Sequence, residues 1–322
     1  MLNSNSNIAV SSRSFCRSVE LRTRLDNVFN DVKYNDQLEH FNEESLIKFF
    51  SDAEAVIVSE DKISKNVIDA LPNLRILAKF GVGLDSIDIE YLKEKNIILG
   101  WNPGINAEAV AQLSLSYIIL MLREAYPLNR KLINNEWAKI KESRDMSGLT
   151  IGIVGYGNVG KKLASYLKIF DTDVIAYDPF LQQDRALSEG VKLVSFDEIL
   201  NYSDALSLHV PLNEDTKNLF GKKEINKMKK GSVLVNLSRG GVVQETALLE
   251  ALESGHLSGA ASDVFEHEPE NTNIFHSTLL NNPNFFSTPH IAGTTNQTIQ
   301  TLGENAIKSP LVYWCNLTKH GF

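Results

Sequence analysis

Short, wholly apolar runs alternate with segments of mixed polarity along nearly the whole chain. IAV at 8–10, AVIVS at 55–59, RILAKF at 75–80 and NIILGW at 96–101 have the length and β-rich character of strands. Between them, Glu43–Phe50 and Ser64–Leu71 mix polar and apolar positions as helices do. The rhythm restarts with TIGIV (150–154), DVIAY (173–177), VKLV (191–194), ALSLHV (205–210), SVLVNLS (232–238) and SGAASDV (258–264). Strands that are apolar along their whole length and alternate with helices predict parallel sheets covered on both faces. The pattern is that of an α/β chain with two doubly wound parallel-sheet domains.

The segment NPGINAEAVAQLSLSYIILMLREAY reads as a turn at Asn102–Gly104, an N-cap at Asn106, and a long helix that is apolar on nearly every side from Val110 to Leu122. Such a helix lacks a polar face to give to water, so it lies in a core, between domains or between subunits.

Composition narrows the picture. At 322 residues, 43% of them apolar, the chain exceeds what one core usually supports. With 32 basic and 40 acidic residues the formal charge is −8, which disfavours nucleic acid and anionic lipid as partners. The two cysteines, Cys16 and Cys315, have neither paired spacing nor neighbouring histidines, so neither a disulfide framework nor a metal site is expected. The polar start MLNSNSN has no basic and apolar leader pattern, and the longest apolar stretch is broken by Ser114, Ser116 and Tyr117, which suggests a cytoplasmic protein with no membrane span.

The stretch GLTIGIVGYGNVGKKLASYLKIFDTDVIAYDPF concentrates chemistry. Gly155, Gly157 and Gly160 follow a strand and open a helix whose apolar residues Val159, Leu163, Leu167 and Phe170 recur at helical spacing. A pyrophosphate at a helix N-terminus needs a tight turn, a close backbone approach and close helix–strand packing, and a glycine serves each need. Asp178 lies 23 residues after Gly155 at the end of the next strand, near the roughly 20-residue offset at which an acid bonds the adenosine ribose. A carboxylate there repels a 2′-phosphate, so the expected dinucleotide is NAD. Three later stretches, NLSRGGVVQETALLEAL with Arg239, DVFEHEP with Asp263 and Glu268, and STPHIAG with His290, place polar groups at strand ends beside glycine or proline, where open α/β sheets bind ligands. Oxidising a 2-hydroxy acid needs a base for the hydroxyl proton, a cation for the carboxylate or carbonyl oxygen, and a hydride acceptor. Arg239, His290 and NAD would supply these, and Glu268, if beside His290, would raise the pKa of the imidazole and orient it, although spacing alone does not bring these residues together.

From about Ala55 to Thr295 the blocks KFGVGLDSID, NAEAVAQL, GLTIGIVGYGNVGKKLA, HVPLN, NLSRGGVVQETALLEALESGHLSGAASDVFEHEP and LLNNPNFFSTPHIAGTT resemble the D-2-hydroxyacid dehydrogenase family, in particular its short phosphoglycerate dehydrogenases. The resemblance implies a flavodoxin-like substrate domain, residues 1–101 with 293–322, and a Rossmann NAD domain, residues 102–292, with the active site in the cleft between them. It also implies catalytic Arg239, Glu268 and His290, and a cofactor site of Gly155, Gly157, Asn158, Val159, Gly160, Asp178, His209, Pro211 and Asp263, the last near the nicotinamide carboxamide. A substrate carboxylate would be held by the amides of Gly81, Val82 and Gly83, with Lys79 facing a substrate phosphate unless it is a solvated strand-end lysine. The helix at 106–124 would help build a homodimer.

Departures from the family pattern are Gln112 in place of Glu and Ser262 in place of an aliphatic residue. A C-terminal regulatory domain is not expected, and Glu268 argues against formate dehydrogenase, which carries Gln there. His40, His256, His267, His276 and His320 are expected to be exposed, and His209 to have no catalytic part. Lys222, Lys223, Lys227, Lys229 and Lys230 read as a solvated helix face, and Trp137 as a packed side chain. The leading expectation is an NAD-dependent enzyme interconverting D-3-phosphoglycerate and phosphohydroxypyruvate, with Arg123 and Arg130 as further candidate cations. Glyoxylate or hydroxypyruvate reduction is the alternative within the class, and a non-catalytic NAD(H)-sensing interaction protein, like the family's transcriptional corepressors, is the alternative outside it.

Overall fold

The computed structural model describes residues 2–139, 142–181, 190–269 and 274–319, with side chains to residue 308; His320 lies outside the described residues. The chain forms two compact units, residues up to Ile105 together with those from Thr294, and Asn106–Gly293. The turn at Asn102–Gly104 stays with the first unit because Ile105 packs on that unit's core.

The first unit runs β1 (Ile8–Val10), α1 (Arg13–Arg17), α2 (Val19–Asp26), β2 (Val32–Tyr34), α3 (Glu43–Phe50), β3 (Ala55–Val58), α4 (Lys65–Asp69), β4 (Ile76–Lys79), α5 (Ile89–Glu94) and β5 (Ile98–Gly100). Its five strands pair in parallel in the order β2-β1-β3-β4-β5. The period of two along each strand sorts the core: Ile8, Val10, Ile57, Ile76 and Ala78 face Phe15, Leu21 and Leu25, whereas Ala9, Val56, Val58 and Leu77 belong with Leu46, Phe50 and Val67. The tail beyond the resembling blocks forms one helix, Asn296–Lys319, whose Leu302, Ala306 and Ile307 join the first of these cores. A side chain at Gly303 would collide with Leu21, its Cβ falling 2.3 Å from Cδ1, so this glycine sets how closely the helix approaches α2.

The second unit contains α6 (Ala107–Leu122), α7 (Ala125–Ile133), β6 (Thr150–Val154), α8 (Asn158–Leu167), β7 (Asp173–Tyr177), β8 (Lys192–Leu193), α9 (Phe196–Tyr202), β9 (Ala205–Leu208), α10 (Lys222–Lys227), β10 (Ser232–Asn236), α11 (Glu245–Glu253), β11 (Leu257–Ser262) and β12 (Phe285–Ser287). Its seven strands are all parallel, in the order β12-β11-β10-β9-β6-β7-β8. The register aligns Tyr177, Val154, Leu208, Asn236, Ser262 and Ser287 across the sheet, so the residues that follow them leave from one edge. β2 and β12 escape the apolar-run pattern because VKY is interrupted by Lys33 and FFS holds only two consecutive apolar residues.

One face of α6 is a core face: Val110, Ala111, Tyr117, Ile118, Met121 and Leu122 pack with the sheet residues Ile153, Val233 and Val235. The helix sits so close that a Cβ at Gly259 of β11 would come within 2.6 Å of Met121. Three expectations need correction. Trp137 is not packed but 87% exposed. His256 is half-buried, its Nε2 within 3.0 Å of the Ile225 carbonyl. Lys229 is more than a solvated charge, because it binds the buried Asp204 at 2.6 Å, where Arg144 also converges.

Leu234 is fully buried on the β10 face opposite α6. Leu234→Ala is expected to cost about 2–5 kcal/mol through lost burial and the cavity left behind, read as a lower urea midpoint at unchanged slope.

Candidate active site

The glycine loop follows β6. Gly155 has φ +91°, a conformation L side chains rarely adopt, and a Cβ there would lie 2.5 Å from the His209 carbonyl oxygen. At Gly160 a Cβ would meet the Gly155 carbonyl oxygen at 2.3 Å, whereas at Gly157 it would enter open space. The first and third glycines therefore serve internal packing, and the second leaves the N-terminus of α8 uncovered. No side chain caps that helix at Gly157, so its first amides, at Asn158 and Val159, are presented to an anion. Asp178 closes the other side: its Oδ2 accepts from the Tyr156 amide and its Oδ1 from the Phe180 amide, each at 3.0 Å. Each oxygen keeps acceptor capacity for ribose hydroxyls, so these residues fit NAD.

His209 and Pro211 leave the same edge from β9. The His209 amide donates to Val154 at 2.7 Å, and its Nε2 lies 2.9 Å from Ser207 Oγ. Burial pushes its imidazole down to about 3, so this ring is neutral. Pro211 is exposed, with its carbonyl accepting from Thr216 Oγ1 at 2.6 Å.

Arg239 is positioned by the end of β10. Asn236 Oδ1 accepts from the Ser238 amide (3.0 Å) and hydroxyl (2.7 Å), and its Nδ2 donates to the Arg239 carbonyl at 3.0 Å. This Asx turn is a positioning element that sequence reasoning missed, although Asn two residues before Ser at a strand end is its usual signal. At Gly240 a Cβ would lie 1.7 Å from the Phe265 carbonyl oxygen, so the turn bearing Arg239 lies directly against the loop bearing Glu268.

Glu268 accepts from the Phe265 amide at 3.0 Å through Oε1 and pairs with His290 Nδ1 at 2.6 Å through Oε2. Partial burial pushes the Glu268 carboxyl up, but the hydrogen bond and charge of His290, the Phe265 amide and the Arg239 charge together bring it below its ordinary value. The bond to Glu268 raises the pKa of His290; burial opposes this, the Glu268 and Asp263 charges add to it, and Arg239 subtracts. The structure thus brings Arg239, Glu268 and His290 into one electrostatic cluster. Half of the His290 side chain is exposed, and with Nδ1 turned to the carboxylate, Nε2 is the nitrogen left to exchange a proton.

Asp263 is 1% exposed, and its carboxylate accepts from the amides of Ile291 (2.9 Å) and Ala292 (2.7 Å) and from the Thr288 hydroxyl. These bonds make it the anchor of the His290 loop. Ser262, the departure before it, donates to the Val264 carbonyl at 2.7 Å, while Gln112 lies exposed and bonded to Glu108 at 2.8 Å.

In the first unit, Lys79 ends β4 and is 5% exposed, with its ammonium hydrogen-bonded to the Ser59 carbonyl. Of the two readings of Lys79, the alternative of a solvated strand-end lysine is therefore overturned. Gly81 has φ +151°, and no described group accepts from the amides of Gly81, Val82 or Gly83. The indole of Trp101, at the end of β5, donates to the Val82 carbonyl at 2.9 Å. Because the peptide is planar and trans, this turns the Gly83 amide the opposite way. The sequence reading missed Trp101 as a contact of this loop.

The family model for the D-isomer specific 2-hydroxyacid dehydrogenase NAD-binding domain matches residues 115–292. A D-3-phosphoglycerate dehydrogenase from Archaeoglobus fulgidus is 37% identical over 81% of this chain, which spans about half (49%) of that relative. A hydroxypyruvate reductase from Thermotoga maritima is 35% identical over 82% of this chain and 86% of its own length. The crystal structure of an Aquifex aeolicus D-lactate dehydrogenase with NAD and lactic acid superposes with a TM-score of 0.83 at 26% identity, covering 98% of this chain and 97% of that one. Glycine loop, strand-end acid, Arg/Glu/His cluster and relatives converge: the chain belongs to the D-isomer specific 2-hydroxyacid dehydrogenase family, whose NAD-binding domain it carries.

Proposed function

We propose that the protein interconverts a small D-2-hydroxy acid and its 2-oxo acid with NAD. The observation that carries this reading is the Glu268–His290 pair at 2.6 Å beside Arg239, on the same sheet edge as the glycine loop. When bound, the nicotinamide supplies the hydride donor or acceptor. His290 gives the proton to the substrate oxygen from Nε2 on reduction and takes it back on oxidation, while Glu268 holds the ring through Nδ1. Arg239, whose Nη1 also donates to the Ser238 carbonyl at 2.8 Å, would meet the substrate carboxylate with other N–H groups of its guanidinium. The amides of Gly81, Val82 and Gly83 also suit a carboxylate.

Lys79 favours a substrate without a phosphate. Its ammonium is buried and already bonded to a carbonyl, and the other candidate cations are engaged too: Arg123 with Ser143, and Arg130 with the carbonyls of Leu280 and Asn282. Hydroxypyruvate and glyoxylate are therefore preferred to phosphohydroxypyruvate, the leading expectation from the sequence. The likeness to the hydroxypyruvate reductase over most of its length supports this choice. No described helix is long and apolar enough to cross a membrane. A homodimer would cover α7, which buries no residue of its own and exposes Leu132 and Ile133.

The deciding experiment follows NADH oxidation by the purified protein with hydroxypyruvate, glyoxylate, phosphohydroxypyruvate, pyruvate and 2-oxoglutarate. Hydroxypyruvate or glyoxylate should give the highest kcat/KM, and His290→Ala should lower kcat by about 10²–10⁴. A preference for phosphohydroxypyruvate would restore the phosphate reading, whereas NADH binding without turnover of any acid would favour the NAD(H)-sensing alternative. Reduction needs protonated His290, so its rate should fall as pH rises through the raised pKa of that ring. Glu268→Gln removes the main cause of the rise and should move this fall to lower pH. Asp178→Ala should weaken NADH binding by about 10–100-fold and narrow the discrimination against NADPH, both readable by fluorescence titration.

A further inference from the structure

Tyr117 lies in the middle of α6 among alanine, leucine and isoleucine, and is 2% exposed. A buried phenol must find a partner, a demand that a leucine or phenylalanine filling the same space would not make. Its hydroxyl meets Thr288 Oγ1 at 2.5 Å, and the Thr288 hydroxyl donates to Asp263 Oδ1. A threonine hydroxyl has one proton, and here the carboxylate takes it, so the line runs in one direction: Tyr117 donates to Thr288, and Thr288 to Asp263. Burial pushes the Tyr117 phenol up to about 12, which keeps it a donor across the working range of pH.

The far end of this line is the His290 loop. Besides taking the Ile291 and Ala292 amides on its carboxylate, Asp263 accepts the His290 amide on its backbone carbonyl at 2.9 Å. His290 itself has φ +52°, a left-handed conformation that its neighbours must hold in place. The Tyr117 ring is fixed in turn by an edge contact to Phe286 of β12, with centroids 5.0 Å apart; Tyr126 of α7 makes a second edge contact to Phe286, at 4.9 Å. The phenol therefore presents its hydroxyl from α6 to Thr288, which passes the line on to the carboxylate that binds the amides of the loop.

We infer that Tyr117 is a positioning residue, which through Thr288 and Asp263 holds the His290 imidazole in register with Glu268. The inference rests on the proposed role of His290 in proton exchange. The charged and titratable groups that act on that imidazole are Glu268, Asp263 and Arg239, and Tyr117 adds no charge of its own. Its effect is geometric: a looser loop lengthens the Nδ1–Glu268 contact and lowers the pKa of the ring.

The test uses the full chain with NADH and the best 2-oxo acid of the panel. Tyr117→Phe should lower kcat by about three- to tenfold, as for the loss of one hydrogen bond, with KM for acid and NADH nearly unchanged. The alkaline fall of the reductive rate should move to lower pH. Thr288→Val should do the same, and Thr288→Ser, which keeps the hydroxyl, should restore wild-type behaviour. The imidazole proton resonance of His290, assigned by its loss in His290→Ala, should titrate at lower pH in Tyr117→Phe, a readout independent of turnover. Unchanged kcat and titration in Tyr117→Phe, or a fall in Tm alone, would overturn the inference; so would equal losses in Thr288→Ser and Thr288→Val. Full turnover by His290→Ala would instead remove the proposed role of His290, and this inference with it.

Discussion

Parallel pairing in register is the constraint from which the site follows. Parallel strands cannot be joined by hairpins, so each must run into a crossover that begins at the same edge of the sheet. In the seven-stranded sheet this aligns the ends of β6, β7, β9, β10, β11 and β12, and the next few residues include Gly155, Asp178, His209, Arg239, Asp263 and His290. Residues more than a hundred positions apart in the chain share one edge because hydrogen bonds between apolar strands put them there. Their own polarity has no part in bringing them together.

Within that edge, backbone contacts do more positioning than side-chain contacts. The carbonyl of His209 sits where a Cβ of Gly155 would be, and that of Phe265 where a Cβ of Gly240 would be. Each close approach sets one strand-end loop directly against another. Carboxylates complete the work: Asp178 binds the amides of Tyr156 and Phe180, Asp263 those of Ile291 and Ala292, and Glu268 that of Phe265. Charge-assisted bonds of this kind are stronger than neutral ones and hold loops that have little apolar surface to bury. The same arrangement sets the electrostatics, since the acids that order the His290 loop also favour its protonated ring.

The strand rhythm and the glycine fingerprint were legible in the sequence because they are local. A period of two, a period near 3.6 and three glycines at fixed spacing are dictated by backbone sterics within a few residues. The roles of Arg239, Glu268 and His290 came from motif resemblance, since spacing alone could not bring them together. β2 and β12 went unread because VKY is interrupted by Lys33 and FFS holds only two consecutive apolar residues, too few to give a strand signal. Trp137 and His256 were misjudged for another reason: residue type states a preference for burial, and the surrounding packing decides whether it is met.

By itself, then, the sequence determined two α/β units, a dinucleotide loop with an acid suited to NAD, and the chemical types available for proton transfer and carboxylate binding. Only the tertiary structure decided which groups meet: His290 with Glu268, Asp263 with the loop beyond it, Tyr117 with Thr288, and Lys79 with the Ser59 carbonyl in place of solvent. Those pairings join positions as far as 171 residues apart. They depend on register and on the packing of α6 against the sheet, properties of the assembled core that no local pattern of residues encodes.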